Sequence, residues 1–451
     1  MTALMKSIFL VNPISGRGHL DAYARLYSRA LLELGYRVVL LAKTDGDTIG
    51  YLTRNRPDLE SSFSFVAFSK MNRLRRALLV WRSEGVFGLL LRGGRAFRIL
   101  LSLLPEASQH KAQRVERAIA RRLLDTPLAR FFDLAFRFDA GKLSFGPLIE
   151  DIQAAVTTPG HAAPDLVFFL YLDLMAEQER NTSALDRLGA RPWIGILFHP
   201  RLADDRAAGI EGYFNSKNAK GGVFLVPSAI PAYAEATPRL HFALAPDVAD
   251  LELPTEPPKL AIDLRKQAGD RTIVLQIGTI TAHKDIPTLL DVIAAADPSR
   301  FFFALVGEVY WGTFTEHNSR IRSFYSLPPE NVYLSRQYLK NERDYNAVIA
   351  ASDIIYAVYT DLGGSSNSLT KAAGFRRPIL VSENSLMGER VRRSNIGAVA
   401  RAGEVEAILE KLVWLSKQPK DGFGFATFSD EQSLEAVKRV LAGALPSWLA
   451  S

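Results

Sequence analysis

Residues 363–368 of this 451-residue chain read Gly-Gly-Ser-Ser-Asn-Ser, residue types suited to holding an anion. Gly363 and Gly364 leave backbone amides uncovered, and Ser365, Ser366, Asn367 and Ser368 offer capping oxygens. Residues 369–375 follow with helix-forming composition. Such a loop aims free N–H groups and the positive end of a helix dipole at one point. Phosphate is the expected ligand; an ordinary well-capped strand–helix turn is the competing reading. A second reactive group stands at Lys284, six residues beyond Gly278 at the end of an apolar strand. A lysine at a strand's carboxyl edge can neutralise a diphosphate. Alone, it would read as a solvated loop lysine. His199 and His19 are further candidate polar groups, with a structural role capping a strand end as the competing reading.

These groups need elements to hold them. The run 354–359 is apolar and β-prone, as a buried parallel strand would be, and 378–382 is the next strand. Strand patterns also fall at 7–12, 36–42, 62–68, 165–171, 193–199, 223–227 and 240–243. Further on they fall at 272–277, 301–306 and 331–334, with helical segments between. Alternating strands and helices predict an α/β chain with two Rossmann-like, doubly wound parallel-sheet domains. The first domain is expected over 1–250, a proline-bearing linker over 251–270, and the second domain over 271–430. Residues 431–451 are expected to form a helix that packs back on the first domain. Ligands of such folds bind in the cleft at the carboxyl ends of the strands. The first strand runs into Ser15-Gly16-Arg17-Gly18-His19, a glycine turn without the full dinucleotide fingerprint. Thr44 and Asp45 are weak ribose partners, so no NAD site is inferred.

Composition narrows the classes. The chain is 48% hydrophobic and 23% charged, as a globular protein is, and it has no cysteine. That excludes a disulfide framework and cysteine ligands or nucleophiles, and it fits a reducing cytoplasm. Residues 1–17 do not read as a signal peptide. Charge is uneven: residues 70–142 hold 16 Lys/Arg and 6 Asp/Glu, a net of +10, which leaves −3 of the chain's +7 elsewhere. The segment 70–148 reads as a basic helical insertion with runs of Leu, Phe and Arg. Arg92, Arg95 and Arg98 argue against a bilayer span, since each costs roughly 2.5–3.5 kcal/mol at the centre. An interfacial helix on an anionic membrane suits it better than nucleic acid does. Packing of the apolar face on its own domain is the competing reading.

The motifs then form a pattern. Gly278-(x)5-Lys284-Asp-Ile, Leu305-Val-Gly307-Glu308, Asn331-Val-Tyr-Leu, Ala351-Ser-Asp353-Ile and the stretch 366–382 resemble the GT-B glycosyltransferases. They are most similar to family 4, the retaining, sugar-nucleotide-dependent enzymes. The glycine loop around Ser15, Gly16, Gly18 and His19 resembles the acceptor-side loop, and Phe198-His199-Pro200 sits where the family often has an active-site histidine. The likeness extends over about 60% of the chain.

The resemblance implies metal-independent glycosyl transfer from a nucleotide-sugar substrate, with no cofactor. The acceptor would be a glycan or a lipid-linked glycan of the cell surface, and the enzyme would be peripheral on the membrane's cytoplasmic face. It places Lys284, Gly278, Thr279, Gly364, Ser365, Ser366, Asn367 and Ser368 at the donor phosphates. Gly307, Glu308, Tyr338, Leu339 and Lys371 would lie near the nucleotide. The family's paired glutamates are absent. Gly363 stands at the first position, with Asp361 nearby as a stand-in, and Lys371 stands at the second. A lysine cannot accept hydrogen bonds from ribose hydroxyls. The alternative function is a non-catalytic GT-B relative that binds a phosphorylated ligand or an anionic membrane.

Overall fold

The computed structural model describes residues 5–16, 19–68, 145–157, 163–173, 183–198, 200, 213–314, 317–360, 364 and 366–450. Gly18, His199, Asp361, Gly363, Ser365 and the basic block 70–142 lie outside them, as does the His19 side chain.

Seven strands form the first sheet: β1 (Ser7–Asn12), β2 (Arg37–Ala42), β3 (Phe63–Ala67), β4 (Leu166–Phe169), β5 (Trp193–Leu197), β6 (Ala219–Phe224) and β7 (His241–Leu244). Their order is β3-β2-β1-β4-β5-β6-β7, and every pairing is parallel. The second sheet holds β8 (Thr272–Ile277), β9 (Phe301–Val306), β10 (Val332–Ser335), β11 (Ile354–Ala357), β12 (Ile379–Ser382) and β13 (Gly397–Ala400). Its order is β10-β9-β8-β11-β12-β13, again all parallel. Runs such as FLVN in β1 and FFFALV in β9 are buried throughout, because helices cover both faces of each sheet. Each sheet thus has an apolar layer on either side. Strand order reverses beside β1 and beside β8, and these switch points open toward each other.

Three boundaries differ from the sequence reading. Residues 251–270 are not all linker: Lys259–Ala268 is a helix whose Ala261, Leu264 and Ala268 pack on the second sheet. Their spacing of three and four outweighs the prolines at 254, 257 and 258. The helix Phe145–Thr157 places Leu148, assigned by sequence to the insertion, in the first domain's core. Strand β13 was not expected, because Gly-Ala-Val-Ala carries little β propensity.

The domains are joined firmly. The helix Leu434–Trp448 returns to the first domain, burying Val437, Leu441 and Trp448 against the helix His19–Glu33 and the sheet. Lys438 pairs with Glu33 at 2.7 Å there. Residues 247–252 cross between the sheets with both sides tied. Arg25 grips Asp250 through Nε and Nη2 at 3.0 and 2.7 Å. Asn346 donates to the carbonyls of Asp250 and Glu252 at 2.9 Å.

Candidate functional site

The loops after the strands of both sheets enclose a cavity of about 370 Å³. From the second domain come Gly278 and Thr279 after β8, Gly307 and Glu308 after β9, and Tyr338 and Leu339 after β10. Tyr359 follows β11, and Ser366, Asn367, Ser368 and Lys371 open the next helix. Tyr171, Phe198, Leu225 and Asp247 enter from the first domain behind β4, β5, β6 and β7. Eleven residues expected at the donor or nucleotide therefore share one wall system. Gly364 is buried just before the helix and is not among the lining residues.

Lys284 is the central charge. It is 8% exposed, and its ammonium donates to the Ile277 carbonyl at 2.8 Å and lies 5.5 Å from the centre of the Tyr359 ring. Among the described residues no carboxylate pairs with it. Burial pushes its pKa down to about 7. The loop that carries it is fixed by backbone geometry. Asp285 is left-handed at φ 46°, and the His283 carbonyl accepts the Thr360 N–H at 2.8 Å. Gly278 has φ +93°, and a Cβ there would meet the Lys284 Nζ and the Tyr345 hydroxyl, both at 3.3 Å. Gly307 is tighter still, since its Cβ would fall 2.1 Å from the Gly278 carbonyl oxygen. The two strand ends approach closely because neither residue has a side chain.

Facing Lys284, the helix Asn367–Gly374 starts two residues earlier than its composition alone indicated. Ser366 is its N-cap, and the Ser366 hydroxyl accepts the Ser368 N–H at 3.3 Å. The Tyr359 hydroxyl bonds the Ser368 side chain and is pushed up to about 12 by burial.

Lys371 lines the cavity but has partners of its own. Its ammonium sits 2.5 Å from the Glu342 carboxylate, donates to Asn346 Oδ1, and lies 5.1 Å from the centre of the Tyr345 ring. It therefore holds its helix to the helix Glu342–Ala350 and to the interdomain crossing.

The first-domain wall is aromatic and was not anticipated. Tyr171 stacks on Phe198 with centroids 4.5 Å apart, and Tyr23 meets Phe198 edge-on at 4.7 Å. Tyr171 is left-handed at φ 58°, an unusual cost for an aromatic residue, and its hydroxyl donates to the Leu20 carbonyl at 2.9 Å. Tyr23 donates to Asp247 at 2.5 Å; burial first, then the Asp247 charge, hold its phenol well above the usual range.

The glycine loop is placed elsewhere. Ser15 is buried, and its Oγ accepts the Lys43 and Thr44 N–H groups at 2.7 and 3.2 Å. Gly16 donates to both Asp21 carboxylate oxygens at 3.0 Å and lines a separate interdomain cleft of about 290 Å³ with Arg25, Lys340 and Arg343. Neither residue lines the larger cavity. Among the described residues no group of three or more His, Asp or Glu side chains is arranged to hold a metal ion.

The arrangement, two opposed parallel sheets around an interdomain cavity, is the GT-B fold. HepE from Anabaena, solved with UDP and glucose, is similar to this chain with a TM-score of 0.59, 12% identity, and coverage of 98% of this chain and 100% of that one. Sucrose-phosphate synthase from Thermosynechococcus elongatus is similar at 0.59 and 16%, covering 98% of both chains. A glycosyltransferase from Rickettsia africae scores 0.57 at 11% identity, with both chains fully covered. No protein-family model matches the sequence, and no curated protein matches it.

Proposed function

We propose that this chain is a glycosyltransferase that moves a sugar from a nucleotide-diphosphate sugar to an acceptor. Lys284 carries the reading. A buried ammonium held by one carbonyl and one aromatic ring is costly until an anion arrives. The cavity it faces is closed by a helix N-terminus that also favours an anion. A diphosphate answers both. As the bond from the sugar carbon to the diphosphate oxygen breaks, negative charge builds on that oxygen. Lys284, the amides of 366 and 367 and the helix dipole would receive it. HepE was solved with UDP and with UDP-glucose, which makes uridine nucleotides the first probes.

Transfer of a hexose with retention, without a metal and in the manner of family 4, completes the reading. It rests on the motif resemblance. So does an acceptor that is a glycan or a lipid-linked glycan, handled at the cytoplasmic face of a membrane. The net +10 of residues 70–142 supports attachment there. Among the described residues no helix is long and apolar enough to cross a bilayer.

The test is calorimetry and turnover across UDP-, GDP- and CMP-sugars with a lipid-linked acceptor extract. Tight nucleotide binding that is lost in Lys284→Ala, together with sugar release or transfer, is expected. No binding by the parent protein overturns the reading. The Lys371–Glu342 pair favours a second one: the position that reads ribose in family 4 is taken by an internal ion pair, as a binding-only relative could tolerate. Nucleotide binding without turnover on any donor would establish that alternative.

A further inference from the structure

The family's two donor-binding glutamates are absent from the chain, yet the cavity does not lack a fixed carboxylate. Among its described lining residues the acids are Asp247 and Glu308. Glu308 is exposed; Asp247 is 3% exposed. Asp247 belongs to neither sheet. It begins the crossing between the domains, and its backbone N–H, its carbonyl and its Oδ1 each have a partner. The Tyr23 hydroxyl donates to Oδ1 at 2.5 Å, the Gln432 amide oxygen accepts its N–H at 2.8 Å, and Thr370 donates to its carbonyl at 2.6 Å. Asn367, the first residue of the helix offered to the diphosphate, has its Nδ2 3.5 Å from the same Oδ1. The carboxylate therefore stands one side chain away from that helix N-terminus. A sugar joined to the outer phosphate would pass it.

The surroundings suit a pyranose. Behind Asp247 lies the wall of Tyr23, Tyr171 and Phe198, whose tyrosine hydroxyls are both turned to internal acceptors. Phe198, the least buried of the three, presents an aromatic surface to the apolar C–H side of a sugar, while the carboxylate accepts from its hydroxyls. The geometry points to Asp247 as the residue that binds a hydroxyl of the donor's sugar, a task the family gives to a glutamate on the opposite domain. This assignment rests on the donor reading above. It moves recognition of the transferred sugar from the second domain to the interdomain crossing, with Tyr23 as the positioning residue that aims the carboxylate.

The experiment compares nucleotide with nucleotide-sugar on the full chain, using UDP against UDP-glucose and GDP against GDP-mannose. The readout is the ratio of the two dissociation constants within each protein. Asp247→Asn keeps the shape and an oxygen for Tyr23 but removes the charge. It should cut the parent's preference for the sugar nucleotide by about tenfold, the scale of one charge-assisted hydrogen bond. Tyr23→Phe should lower it less. A merely structural role would weaken both ligands together and leave the ratio alone. Asp247→Glu, which restores a carboxylate, should recover part of the preference. A parent that binds no nucleotide diphosphate overturns the donor reading and this assignment with it. A parent that binds nucleotide and gains nothing from the sugar overturns the assignment alone. So does an unchanged ratio in Asp247→Asn.

Discussion

The Lys371 ammonium and the Glu342 carboxylate lie 2.5 Å apart, with side chains only 2% and 5% exposed. Removing one partner strands the other charge in a dry interior. Lys371→Met should lower unfolding stability by about 3–5 kcal/mol, measured by denaturant melts. Lys371→Glu, which from the sequence would install a ribose acceptor, instead sets two carboxylates side by side and should be worse still. The exchange Lys371→Glu with Glu342→Lys should restore much of the loss. Full stability in Lys371→Met would show that the pair contributes little.

The second prediction is a pH dependence set by Lys284. Its ammonium titrates at about 7 in the fold, against 10.5 ordinarily. Between these values the unfolded chain holds a proton that the folded chain does not, so this group makes the free protein more stable as pH rises through the window. Below about pH 7 both states are protonated and its contribution is flat. A diphosphate prefers the ammonium, so UDP affinity should fall as pH climbs from about 7 to about 9. Below that range the phosphate itself, near 6, also titrates. Calorimetry should show this fall in the parent, and denaturant melts should show a rise of stability over the same window in the parent that is absent in Lys284→Met. Equal slopes in both would assign it to another group.

How much of this was readable beforehand depends on what the sequence writes locally. The strands 272–277 and 301–306 fall where expected, because FFFALV is an unbroken apolar run, TIVLQI is one but for Thr272 and Gln276, and a glycine closes each. The cavity's second-domain wall was legible for the same reason: its residues follow strand ends within a few positions. Its first-domain wall was not. Tyr23, Tyr171, Phe198 and Asp247 are spread over more than two hundred residues and share no spacing, so only the fold brings them together. The partner of Lys371 was likewise invisible. A lysine and a glutamate 29 residues apart carry no sign that two helices will press them together.

Ser366 serves two ends at once. As N-cap it satisfies the Ser368 amide, and as a cavity residue it leaves that helix terminus open to an anion. Ser366→Ala should cost about 1 kcal/mol of stability through the lost cap and weaken UDP binding modestly. Ser366→Leu should also fill the space before the amides and abolish binding. Unchanged UDP affinity in the leucine variant, by calorimetry, would remove this loop from the donor site.

Residues 70–142 should confer membrane attachment. Each cationic residue near an anionic surface contributes about 1 kcal/mol, screened over a Debye length of about 8 Å at physiological salt. Several acting together suffice for reversible binding. The protein should float with vesicles containing anionic lipid, less with neutral ones, and less at high salt. Replacing Arg92, Arg95 and Arg98 by Glu should release it. A protein that stays in the soluble fraction at low salt on anionic vesicles would remove lipid from the acceptor argument.

Gly278 gives the sharpest steric test. It has φ +93°, a conformation costly for any residue with a Cβ, and that Cβ would stand 3.3 Å from the Lys284 Nζ and the Tyr345 hydroxyl. Gly278→Ala must therefore strain the loop and push on the ammonium that is to meet the diphosphate. The strained backbone costs on the order of 1–2 kcal/mol, a loss that a protein of this size can absorb. Displacing Lys284 falls on the ligand. The variant should remain folded, with its melting temperature a few degrees lower, while UDP affinity drops at least as far as in Ser366→Ala. Gly269→Ala is the control for strain alone, since Gly269 is also left-handed, at φ +59°, but would meet no atom within 4 Å. It should lose stability and keep its nucleotide. If the two variants bind UDP equally well, the contact between Gly278 and Lys284 has no part in holding the phosphate.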